Sequence, residues 1–218
     1  MALITPEQLL QIVPNITPAR AAEKAKSMNE VLPLYGITDK DVFEEYLANV
    51  AHETGGFRIR EEGLNYTRAE RIVAVWPSRF NLTGTGGRKD ARRFVGNPRL
   101  LANEVYNGRM GNRIGTNDGW DFRGGGDPQL TGRETYTLFT ADTNRRFSLS
   151  FTAQQWADKV RTEDYWATVA GGWFFEWKGL VTLARSDRFT DLVRRWNGGL
   201  IGMDDRQKYY DRCKRFLT

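Results

Sequence analysis

The strongest constraint on the fold is a helix that is forced to stop. Across "DKDVFEEYLANVAHETGGF", apolar side chains fall at Val42, Phe43, Tyr46, Leu47, Val50 and Ala51, the three- and four-residue spacing of one helix face. Thr38 stands at its start, and Gly55-Gly56 ends it. Tyr46, Val50 and Glu53 are related as i, i+4 and i+7, so Glu53 continues the apolar stripe, while Glu45, Asn49 and His52 follow the polar side. A carboxyl at the end of such a stripe loses water and meets the negative end of the helix dipole. Both effects favour the neutral acid, the form a general acid needs.

After the glycines, "FRIREE" alternates with period two: Phe57, Ile59 and Glu61 on one side, Arg58, Arg60 and Glu62 on the other. As a strand, this places Glu62 beside two cations that keep it ionised. One neutral and one ionised carboxyl make the pair that glycoside hydrolysis uses. The same residues also fit a helix-end acid paired to an arginine, followed by a solvated hairpin. The periodicity does not choose between Glu61 and Glu62.

Elsewhere, helix starts are well marked. Thr5-Pro6 and Thr17-Pro18 each put a capping residue before a proline at the first helical position. The second of these predicts a helix running to Gly36. "PSRFNLTGTGG" reads as loop, Asn97-Pro98 as the start of a short helix, and the seven glycines from Gly108 to Gly126 as a turn-rich connection. Helical patterning returns after Thr131 and includes "WATVAGGWFFEW", a buried helix too short to span a membrane. The pattern predicts one mainly α domain with a small β or loop-rich lobe.

The chain has 218 residues, 40% of them hydrophobic, with twelve Phe, eight Tyr and seven Trp, enough for a core and an aromatic-lined groove. A net charge of +5 suits polyanionic partners: nucleic acid, acidic lipid or an anionic cell wall. His52 is the only histidine and Cys213 the only cysteine, which excludes a His/Cys zinc site and an internal disulfide and disfavours amidase and peptidase chemistry. "MALITPEQLL" lacks the basic and apolar regions of a classical signal peptide. "GRKDARRF" and "RCKRF" supply basic residues but no nucleic-acid recognition motif.

Four motifs stand in order: "HETGGF", "EEGLNY", "RGGGDPQLTGRETY" and "WNGGLIGMDDRQKYY". From about Thr38 to the end, the chain resembles the family 19 glycoside hydrolases, and among them the single-domain phage endolysins related to plant chitinases. The resemblance implies a mainly α, lysozyme-like α+β fold: one helical domain with a small β-hairpin or loop-rich lobe and a cleft between. It implies a single catalytic domain over 1–218, with a helical segment 1–37, a motif-bearing core 38–218 and no separate wall-binding module. Glu53 would be the general acid and Glu62 the general base, with inversion of configuration. His52, Asn65, Tyr66, Tyr106, Gln129 and Asn197 would contact the sugars, and Arg206 would support the carboxylates.

No metal or cofactor is implied. The partner would be bacterial peptidoglycan, for a monomer made in the host cytoplasm that reaches the wall after the membrane is opened, with no nucleic acid bound and no stable membrane insertion. The chain departs from the family pattern at Gly63, at Gly125 and at Asp127-Pro128, which makes Asp127 a third acid beside the pair. Thr116 is the nearest candidate for holding the catalytic water. Chitin hydrolysis, a lytic transglycosylase or goose-type lysozyme working with a single Glu, and a basic nucleic-acid or wall-binding module are the alternatives.

Overall fold

The computed structural model describes residues 2–217. Along the chain come α1 (Pro6–Ile12), α2 (Pro18–Val31), α3 (Lys40–Glu53), α4 (Ala69–Val75), strands β1 (Phe80–Asn81) and β2 (Lys89–Asp90), and α5 (Pro98–Tyr106). Then follow α6 (Asp118–Asp121), α7 (Arg133–Phe147), α8 (Ala153–Thr162), α9 (Asp164–Trp177), α10 (Leu180–Arg185), α11 (Phe189–Asn197) and α12 (Met203–Phe216). The fold is mainly α. The chain forms two compact units: one from Met1–Glu61, Gly125–Leu130 and Gln155–Thr218 within the described residues, the other from Glu62–Gly124 and Thr131–Gln154.

The first unit is built around α3, which packs against α12 and α10, while α2 lies against α1 and α9. Helix starts obey the sequence. Thr5 and Gln8 form a reciprocal capping box, and Thr17 caps α2 ahead of Pro18. The apolar stripe Val42, Phe43, Tyr46, Leu47, Val50 and Ala51 is buried as expected. At about 1.5–3 kcal/mol for each large side chain, this burial far outweighs the few tenths lost by β-branched residues in a helix. The expected polar side, however, is not solvated. Glu45 and Asn49 are only 1% and 0% exposed, because neighbouring helices cover α3 on that side too.

Helix α3 ends as its glycines require. Gly55 and Gly56 have φ of 56° and 74°, and their N–H groups return to the carbonyls of His52 and Ala51. The two glycines of "WATVAGGWFFEW" serve a different purpose inside α9. A Cβ on Gly171 would stand 2.3 Å from the Tyr46 hydroxyl, and one on Gly172 would stand 2.5 Å from the Tyr35 ring. They are the points where α9 meets α3 and the short 3-10 turn after α2.

The expected strand "FRIREE" does not form. Thr54 Oγ1 accepts from the Phe57 N–H, and Phe57 adopts φ 61°, so the chain turns at once. Phe57 is buried while Ile59 is 46% exposed, so the alternating faces are absent. Only Glu61 pairs in β fashion, in an isolated bridge to Gly125.

In the second unit, Ala69, Ile72, Phe80, Ala91, Phe94, Leu101 and Val105 make a separate core, with Tyr66, Trp76 and Tyr106 packed on it. Its small sheet is a parallel pair of two-residue strands, β1 and β2, rather than a hairpin. The glycine-rich connection is pinned by Asp118, whose carboxylate accepts from Arg133 and Arg113 at 2.6–3.2 Å. The bonds from Arg133 hold this acid well below the usual carboxylate range.

Candidate active site

The acid and the base of the predicted pair are each built within their own unit. Glu53, in the last turn of α3, meets the guanidinium of Arg206, which projects from the first turn of α12 and is 1% exposed. Arg206 Nη1 also donates to Asn49 Oδ1 at 2.6 Å, and its Nε reaches the Ile201 carbonyl at 3.4 Å. Asn49 precedes Glu53 by one helical turn, so one buried cation ties together two adjacent positions on α3 and the loop before α12. The Glu53 side chain keeps 21% of its surface exposed, which leaves the carboxyl reachable by substrate.

His52 is held beside this group rather than left open. Its Nδ1 lies 2.8 Å from Asp205 Oδ2, and its ring packs so close to Gly202 that a Cβ there would stand 2.2 Å from Nε2. Asn197, expected at the sugar, spends its amide on its own loop. Its Nδ2 donates to the Ile201 carbonyl at 3.2 Å, and its Oδ1 accepts from the Gly199 N–H at 2.9 Å.

Gln129 stands at the tip of a tight loop closed by paired bonds between Gly125 and Leu130, at 3.0 and 2.8 Å. Its φ is 56°, a conformation a non-glycine residue adopts only when its surroundings impose it. Those surroundings include the departure seen in the sequence. Asp127 is fully buried, and both its oxygens accept from Lys24 Nζ at 2.7 Å, with Thr168 bonded to the same ammonium at 3.0 Å. Asp127 is therefore not a third acid available to substrate but the anchor of the loop. Burial lowers the Lys24 pKa against the opposing pull of Asp127.

Glu62 sits in the second unit with different partners from those the alternation implied. Instead of Arg58 and Arg60, the Tyr106 hydroxyl donates to Oε1 at 2.5 Å and the Gly124 N–H to Oε2 at 3.3 Å. The Glu62 N–H returns to the Gly124 carbonyl at 2.9 Å. Tyr106 is thus a donor to the candidate base. Burial, then the charge of Glu62, raise its phenol pKa far above the ordinary value, so it stays a donor. The Tyr66 hydroxyl is shifted upward by burial and then by Glu62. Asn65 is exposed and lines a cavity of about 430 Å³ with Tyr66, Thr67 and Arg71. Thr116 is engaged in its own turn, donating to the Arg113 carbonyl at 3.0 Å and accepting from the Asp118 N–H at 3.1 Å.

Sequence reasoning did not find Asn49, Asp205, Gly124 or the Lys24–Asp127–Thr168 group as parts of this arrangement. Asn49 carried a usable signal, the i, i+4 relation to Glu53. The others are long-range pairings that leave no local pattern.

The chain shares 31% identity over 169 residues, 76% of its length, with a "Glycosyl hydrolase family 19 domain-containing protein" of Haemophilus influenzae, covering 74% of that protein. No family model matches. Among solved structures, it resembles a mutant form of chitinase C with a TM-score of 0.61, and chitinase C from Streptomyces griseus with a TM-score of 0.60. In both cases identity is 16%, with 99% of this chain and 77% of the other covered. The fold is therefore that of these chitinases, and with the sequence relationship the chain belongs to glycosyl hydrolase family 19.

Proposed function

We propose that the protein is an endolysin that hydrolyses the β-1,4 bonds between N-acetylated sugars of bacterial peptidoglycan, with inversion. The observation that carries this reading is the separate fixing of two carboxyls nine positions apart: Glu53 by Arg206, and Glu62 by the Tyr106 hydroxyl and the Gly124 N–H. In this mechanism Glu53 gives its proton to the glycosidic oxygen as the bond breaks. Glu62 takes a proton from a water attacking the anomeric carbon from the opposite face. Arg206, already bonded to Glu53, stabilises the carboxylate that Glu53 becomes. Tyr106 and Gly124 hold Glu62 with both oxygens satisfied, fixing its orientation toward the water.

Peptidoglycan is favoured over chitin by charge. The chain carries +5, and bacterial walls are anionic whereas chitin is neutral. Acting on the wall, the enzyme depends on another factor to open the membrane; among the described residues no helix is long and apolar enough to cross one. Chitin is the second reading, supported by the chitinases whose fold the chain shares.

The test is product analysis by mass spectrometry on purified peptidoglycan and on chitin oligomers. Reducing-end muropeptides from peptidoglycan support the proposal. Release from chitin alone transfers the activity to that polymer, and 1,6-anhydro ends mean a single-acid transglycosylase in place of a hydrolase.

A further inference from the structure

The first unit carries a concentration of cations immediately beyond the candidate acid. A cavity of about 400 Å³ is walled by Ile16, Thr17, Phe57 and three arginines, Arg20, Arg58 and Arg60, with no acid among its lining residues. Its wall begins at Gly56, three residues after Glu53. Three residues of chain span at most about 10 Å, so the Gly56 edge of the cavity lies within that distance of the acid's backbone.

The acids behind the wall do not balance these arginines one for one. Asp164 serves both Arg20 and Arg60, the latter at 3.5 Å, and Glu23 stands 3.9 Å from Arg20. Arg60 is further held by the Thr162 carbonyl at 3.0 Å, and Arg20 by the Phe57 carbonyl at 3.3 Å. These two are fixed in place. Arg58 donates its Nε to the Gly55 carbonyl at 2.8 Å, a neutral acceptor, and its exposed guanidinium forms no ion pair among the described residues. Burial and then repulsion from Arg60 lower the Arg20 pKa, as expected where guanidinium groups are crowded together.

We propose that this pocket receives a carboxylate of the peptide attached to the muramyl sugar of peptidoglycan. Guanidinium presents a planar fork of donors that matches a carboxylate. The volume is within the range of small-ligand sites. A chitin chain carries no carboxylate, so the pocket gains nothing from it. The pocket thereby distinguishes the two polymers at a position away from the bond that is cut. This inference rests on the peptidoglycan reading above.

Arg58 is the residue to change, since it is exposed and lies outside the acid and base groups. Arg58→Gln and Arg58→Lys are compared with the parent on peptidoglycan, on glycan strands stripped of peptide, and on a chitin hexamer. Arg58→Gln is expected to raise KM on peptidoglycan about fivefold at low ionic strength, with kcat unchanged and hydrolysis of the hexamer unaffected. Arg58→Lys, which keeps the charge but not the fork, recovers only part of the loss, and the difference between parent and Gln variant shrinks between about 50 and 500 mM salt. Stripping the peptide removes its carboxylates and frees the lactyl carboxyl from its amide, so an Arg58→Gln effect that vanishes on stripped strands supports the peptide as the source, and an equal effect there overturns that assignment. An unchanged KM on peptidoglycan, or an equal change on the hexamer, overturns the subsite while leaving the peptidoglycan reading intact. A parent enzyme that releases nothing from peptidoglycan overturns that reading itself.

Discussion

Glu45 offers a stability test that is independent of catalysis. It lies on α3, 1% exposed, and neither carboxyl oxygen has a hydrogen-bond partner. Burial, followed by the nearby charge of Asp187, raises its pKa from 4.5 to about 8, with Lys214 opposing. The folded value lies above the unfolded one, so the contribution to stability is complete below pH 4.5 and is lost progressively as pH rises to about 8. At 1.36 kcal/mol per pH unit, the loss from this one group between pH 4.5 and 7 is about 3 kcal/mol.

Glu45→Gln removes the ionisation but buries an amide, whose unmet donors cost about 1–3 kcal/mol at every pH. The absolute change at one pH is therefore a poor test, and the slope is the good one. Urea unfolding followed by tryptophan fluorescence across pH 4.5 to 8 should show the variant gaining about 3 kcal/mol on the parent between pH 4.5 and 7. Parallel stability curves would refute the reasoning, because they would mean that Glu45 is ionised in the folded protein or reaches water.

Two other predictions follow from the polar groups around the candidate site. Lys24→Met leaves the Asp127 carboxylate buried without its cation and should cost about 3–5 kcal/mol, read as a lowered urea midpoint. Adding Asp127→Leu should restore most of it, and a single variant as stable as the parent would show that the pair does not anchor the Gln129 loop. Tyr106→Phe deletes the donor to Glu62 Oε1 while keeping the ring in its core. It should lower kcat about tenfold, the worth of a hydrogen bond to a charged group, with little change in stability. Unaltered kcat would return Tyr106 to a purely sugar-contacting role.

The elements legible in the sequence were those with local causes. Thr5-Pro6, Thr17-Pro18 and Asn97-Pro98 each begin a helix, the α3 stripe is buried, and Gly55-Gly56 ends that helix. The alternation after Gly56 misled because "FRIREE" has the period of a strand but no neighbouring strand to pair with. A turn fixed by the Thr54 hydroxyl forms instead. Helix α4 went unread between the acidic motif and the loop after it, its seven residues giving barely two turns of pattern. At the site, the two glutamates, Arg206 and Tyr106 were named from the resemblance, but the bond from Tyr106 to Glu62 was not. Glu62 gains Tyr106 from a position 44 residues away, and Asp127 gains Lys24 from one 103 residues away. Pairings of that span are set by packing, which no local spacing records.

The central claim is that Glu53 and Glu62 divide the acid and base roles, and it is tested most directly by kcat on peptidoglycan for Glu53→Gln, Glu62→Gln and Glu61→Gln. The first two should each lose at least about a hundredfold while unfolding at the parent's urea midpoint. Glu61, whose side chain is 48% exposed and 3.9 Å from Arg161, should be replaceable without loss. A folded Glu53→Gln or Glu62→Gln variant that turns over at the parent rate would contradict the account.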